Sequence, residues 1–110
     1  MREYLESLIA SAQEGGHVVP PPEAAQKIAD EIKRRTKLTV QNLAGRDVST
    51  VERIVPARPT HFVEETLRAI DEVVASLEAK HATGFEVVFA NRSADPNWDF
   101  GQVKLAVRYV

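Results

Sequence analysis

The segment from Thr60 to His81 constrains this chain more than any other, because Val63, Leu67, Ile70, Val74 and Leu77 recur in it at 4-3-4-3 spacing. That rhythm sets five large apolar side chains on one stripe of an α-helix. Phe62, Ala69 and Val73 widen the stripe, while Glu64, Arg68 and Glu72 form an acid–base–acid ladder on the other side. Thr60 is the expected N-cap, and Gly84 lies just past the expected end. A helix of roughly 20 residues at about 1.5 Å per residue is a rod of about 30 Å. A rod that long, apolar on one side, needs a sheet or a second layer of helices to cover.

The flanking segments supply strands. Phe85, Val87 and Phe89 alternate within Phe85–Ala90, and Val103, Leu105, Val107 and Tyr109 alternate within Gln102–Val110. A period of two marks half-buried strands. Ahead of the long helix, Leu38–Leu43 is a short strand candidate and Val48–Val55 is rich in β-branched residues. Ala44-Gly45-Arg46-Asp47 between them reads as a hairpin connection. Pro56 and Pro59 end the second of these strands.

Two helices precede them. Tyr4, Leu5, Leu8, Ile9 and Ala12 share a stripe that Gly15-Gly16 should terminate. Three consecutive prolines, Pro20 to Pro22, forbid helix and favour an extended connector. A second helix then starts near Pro22-Glu23, with Ala25, Ile28, Ala29 and Ile32 as its apolar stripe and Asp30–Arg34 and Glu31–Arg35 as i,i+4 pairs. The order α, α, β, β, α, β, β predicts a single α+β domain over residues 1–110, with a mainly antiparallel four-stranded sheet packed on the long helix. The first helix, within residues 1–16, is either an appendage or an oligomerisation element. A ferredoxin-like arrangement is the alternative if His17-Val18-Val19 is itself a strand.

Several chemistries find no residues to carry them. The 110 residues contain no cysteine, which removes disulfides, thiolate nucleophiles and Cys-based zinc or iron–sulfur sites. His17, His61 and His81 form no metal-ligand spacing. Neither a nucleophile elbow nor a glycine-rich phosphate loop occurs. The pairs Glu64-Glu65 and Asp71-Glu72 sit on the polar side of the long helix, as a solvated face requires. We therefore expect no enzyme, no cofactor and no metal. No apolar run approaches the roughly 20 residues of a membrane span, and Met1-Arg2-Glu3-Tyr4 lacks the apolar core of a secretory signal. The expected compartment is the cytosol, with no membrane partner.

Charge says more than composition. The formal net charge is −2. Residues 1–32 hold two basic and six acidic groups, net −4, residues 33–58 hold seven and two, net +5, and residues 59–110 hold five and eight, net −3. A basic centre thus lies between two acidic ends. Arg34, Arg35, Lys37, Arg46 and Arg53 are its candidate binding residues. One use is recognition of nucleic acid or another anion, although no aromatic residue interleaves the segment as a stacking platform. Another is local, since Lys33, Arg34 and Arg35 complement the C-terminal end of a helix dipole. A third is assembly, the basic strands of one copy meeting the acidic long helix of the next, a head-to-tail pattern that generates rings. The Asp95–Phe100 loop adds Trp98, Asp99 and Phe100 as candidate partner contacts, because it places the only tryptophan beside a phenylalanine among turn formers.

From Leu38 to Val110, the sequence of two strands, the Thr60–His81 helix and a terminal strand pair resembles the architecture of small tail-completion and neck proteins of tailed bacteriophages. The resemblance implies a ring-forming subunit, other structural proteins of the virion as partners, and the particle as its location. The leading expectation is a non-enzymatic structural or assembly protein that forms homo-oligomers through complementary charged faces. The alternative is a regulatory or binding domain that recognises nucleic acid or another anionic ligand through residues 33–58.

Overall fold

A computed structural model of the chain describes residues 1–12, 18–91 and 101–110. The elements are α1 (Arg2–Ala12), α2 (Glu23–Thr36), β1 (Thr39–Val40), β2 (Ser49–Pro56), α3 (Pro59–Ala79), β3 (Gly84–Ala90) and β4 (Gln102–Tyr109). The stripe on α3 is buried as its spacing requires at Phe62, Val63, Ala69, Ile70, Val73, Val74 and Leu77, while Leu67 is only partly buried against the core. The termini of α3 differ from expectation. Arg58, extended at φ −74° and ψ 130°, is the N-cap, with Pro59 at the first helical position. Proline suits that position, since its fixed φ is helical and an N–H there would have no partner in the helix. At the other end His81, at φ 54°, takes the left-handed position expected of a glycine. The Ala82 N–H donates to Leu77 O and the His81 N–H to Glu78 O, the paired bonds of a Schellman cap.

The four strands form one sheet in the order β1-β3-β4-β2. β4 runs antiparallel to both neighbours, whereas β1 pairs parallel with β3. The sheet is therefore mixed rather than mainly antiparallel. The expected hairpin around Ala44–Asp47 does not exist, because β1 and β2 lie at opposite edges. The physical reason is length: β1 is two residues long, whereas all eight residues of β2 find partners on β4, from Ser49 opposite Tyr109 to Pro56 opposite Gln102. β2 and β3, joined by α3, run in the same direction with β4 between them, a split β-α-β unit. Val18 and Val19 belong to no strand, so the ferredoxin-like alternative lacks the strand it needs there.

All three helices lie on one side of the sheet. Val55, Phe85, Phe89, Val103, Leu105 and Val107 point into a single core with Ile28 and Ile32 of α2, the stripe of α3 and Leu5 of α1. Leu5 is fully buried and Tyr4, Leu8 and Ile9 pack around it. Within α2, Ile28, Ala29 and Ile32 are buried as expected, and Ala24 rather than the partly buried Ala25 completes the stripe. The Val18 N–H donates to Ala57 O at 2.8 Å, pinning the chain that leads into the prolines to the end of β2.

With one face taken by helices, the connection from β1 to β2 passes on the other side. The Leu43 N–H donates at 3.1 Å to Glu86 Oε2, and Glu86 alternates with the inward Phe85 and Val87 on β3. Leu43 is fully buried yet lies outside the helix-side core. Asn42 Oδ1 accepts from the Ala44 N–H at 3.0 Å, and Gly45 at φ 78° turns the chain, a positive φ that glycine takes without strain.

Candidate interaction surface

The basic segment is not one patch. Arg35 of α2 reaches Asp71 of α3, with Nη2 to Oδ1 at 2.6 Å, and lies 3.9 Å from Glu31. Arg53 of β2 reaches Glu72, the next residue of α3, at 2.5 Å. Two neighbouring carboxylates on α3 thus bind cations from opposite flanks, one on α2 and one on the sheet edge. Arg34 closes on Glu31 within its own helix at 2.6 Å, and Arg46 donates to Gln41 Oε1 at 3.3 Å. Lys37 is the left-handed C-cap of α2, at φ 64°, and with Lys33 enters no ion pair among the described residues. Lys33, Arg34 and Arg35 fill the last turn of α2, where they oppose the negative end of its dipole. Trp98, Asp99 and Phe100 lie outside the described residues.

The expected Glu64–Arg68–Glu72 ladder on α3 likewise does not pair within itself. Glu64 binds Arg2 of α1 at 2.5 Å, Glu65 binds Arg68 at 3.2 Å, and Glu72 takes Arg53. The hydrogen bond from Arg2, then its charge, hold the Glu64 carboxyl below its usual pKa of 4.5. A carboxylate stabilised in the folded state contributes stability above its ordinary pKa and loses it as the pH falls below that value. Both side chains are largely exposed, so this contribution is small. Among the described residues no group of three His, Asp or Glu side chains could hold a metal ion, and no helix is long and apolar enough to cross a membrane.

The side of the sheet away from the helices is different in kind. Ile54 and Val88 are 48% and 47% exposed there. Across the strands Glu52 faces Ala106, which faces Val88, and Ile54 faces Lys104, which faces Ala90. An apolar strip of Ile54, Ala106, Val88 and Ala90 results. The ion pair Arg108–Glu86 at 2.7 Å borders it, and Lys104, paired with Glu52 at 3.0 Å, stands between Ile54 and Ala90.

The edge of that sheet carries unspent hydrogen-bonding capacity. The Ala57 N–H donates to Gly101 O at 2.7 Å, which sets the phase of the β2–β4 ladder. Hydrogen-bonded pairs alternate along an antiparallel ladder, so Ser49, Val51, Arg53 and Val55 bond to β4. Thr50, Glu52 and Ile54 then direct their N–H and C=O groups away from the sheet. Consistent with this phase, Glu52 O accepts from Arg53 Nη1 at 2.7 Å. The N–H groups of Thr50, Glu52 and Ile54 have no partner among the described residues.

Charge counting along the sequence did not reveal this edge. The usable signal was the β-branched run Val48–Val55, which marks a strand but does not say that it ends a sheet. Compared with protein-family models, curated proteins and solved structures, the chain shows no match to any of them.

Proposed function

We propose that this protein is a non-enzymatic assembly subunit that builds homo-oligomers. The observation that carries the reading is β2: an eight-residue strand at the end of its sheet, with three outward N–H groups unpartnered beside the exposed Ile54. Proteins that work as monomers usually blunt such an edge with a short strand, a bulge or a cover, because it templates pairing with another chain. The charge separation supports self-association less directly, since Arg35 and Arg53 already meet Asp71 and Glu72 within one chain. Recognition of nucleic acid through Arg35 and Arg53 would have to break those same contacts, and through Arg34 its pair with Glu31. The virion setting, as a neck or tail-completion subunit with other structural proteins as partners, rests on the resemblance in element order.

Light scattering over a range of concentrations, at low and high salt, tests the proposal. We expect a species larger than the 12.2 kDa chain that persists at high salt, because backbone pairing and apolar contact are not screened as exposed charges are. A monomer at every concentration and at both salt levels overturns it. Dissociation by salt alone moves the contact to the charged faces of Lys33, Lys37 and the acidic helices.

A further inference from the structure

The outward groups of β2 allow only certain pairings with a second copy of the same strand, and its side chains choose among them. This inference rests on the assembly reading above. Two copies related by a two-fold axis run antiparallel, so the strand centres on one residue that faces itself. Centring on Glu52 stacks Glu52 against its own copy, and centring on Arg53 does the same for Arg53; like charges directly opposite are destabilising. Centring on Ile54 sets Pro56, which has no N–H, against Glu52. Centring on Thr50 leaves the apolar Ile54 opposite the charged Arg46, three residues before the strand begins at Ser49.

Centring on Val51 meets none of these objections. Thr50 and Glu52 of each copy then exchange backbone hydrogen bonds, as do Ile54 and Val48, the residue just before the strand begins. On the outer face Ile54 covers Val48 of the second copy, and on the helix side Val51 meets Val51 while Arg53 lies opposite Ser49. The pairing uses the N–H groups of Thr50, Glu52 and Ile54. It also covers exposed Ile54, and it opposes no like charges. We propose that β2 is a self-docking edge, joining two copies antiparallel about Val51 into one continuous sheet of eight strands. Formation of the pair requires Arg53 Nη1 to leave Glu52 O, while its contact with Glu72 can stay.

The absence of cysteine makes the register directly readable. Single variants Val51→Cys, Glu52→Cys and Arg53→Cys are oxidised mildly and the fraction of covalent dimer is compared. Facing residues in a non-hydrogen-bonded antiparallel pair sit about 4.5 Å apart at Cα, within the range a disulfide spans. We expect Val51→Cys to cross-link at least tenfold faster than the other two. In parallel, Thr50→Pro removes an outward N–H that β4 does not use, and proline is tolerated at such edge positions. We expect association at least tenfold weaker with unchanged circular dichroism. Should that variant not fold, the cysteine series decides alone. Cross-linking strongest at 52 or 53 overturns the register. Oligomers that form with no cross-link at 51 overturn the interface while leaving the assembly reading intact. A wild-type chain that is monomeric throughout overturns both.

Discussion

Thr66 is the residue whose placement most needs explaining. It is fully buried in the middle of α3, and its hydroxyl has no hydrogen-bond partner among the described residues. A helical threonine can return its hydroxyl to the carbonyl four residues back, but Thr66 makes no such bond. A buried polar group without a partner costs about 1–3 kcal/mol in desolvation. Valine has nearly the same shape and no hydroxyl, so Thr66→Val should stabilise the fold by about 1 kcal/mol. Thermal unfolding should then shift upward by roughly 4 °C in a domain of this size. Unchanged or lower stability would mean that the hydroxyl has found a partner in solution. Thr66→Ser, which keeps the polar atom and loses the methyl, should destabilise and serves as the control.

At the scale of elements, local signals were readable and their terminations were not. The stripe from Val63 to Leu77 was legible because helical burial depends on residues three and four apart, all within one short stretch. The same holds for Phe85–Phe89 and Val103–Tyr109, where period two reports the face directly. Termination depends on competition between neighbouring candidates. Thr60 has the better capping side chain, but Pro59 beside it fixes a helical φ and moves the start to Arg58. Gly84 was the available glycine, yet the chain turns three residues earlier at His81, and Gly84 instead opens β3. There a Cβ on Gly84 would meet the far end of the flexible Gln41 side chain, which can move aside. His81 therefore occupies a left-handed position that costs a non-glycine residue roughly 1–2 kcal/mol. Its side chain is exposed, so His81→Gly should recover about 1 kcal/mol of that without loss of packing, read as a raised midpoint in urea unfolding with unchanged slope. The candidate site was less legible than the helices. Net charge by segment located the basic residues but not the fact that Arg35 and Arg53 flank α3 from two sides.

For the whole molecule, the decisive feature is which strands are neighbours, and no local pattern carries that information. Consecutive strands are adjacent about two-thirds of the time, which favoured a hairpin between β1 and β2. The fold instead sends them to opposite edges and pays for the long crossing with one buried anchor, Leu43. Glu86 holds the crossing from below, accepting the Leu43 N–H through one carboxylate oxygen and Arg108 through the other. Leu43 is buried outside the helix-side core, whereas Ile54 and Val88 stay about half exposed. If this connection crosses the sheet, Leu43→Ala should behave as a core truncation and cost about 2–5 kcal/mol, a large share of the roughly 5–15 kcal/mol of a typical domain. A simple hairpin loop would lose almost nothing from the same change. The two cases separate further by hydrogen exchange. Loosening a crossing should raise exchange in β1 and at the Glu86 end of β3 together, while the β2–β4 ladder, which holds its eight pairs without Leu43, keeps its protection. Loss confined to residues 41–48 would place Leu43 in an isolated loop and remove the anchor that the β1-β3-β4-β2 order requires.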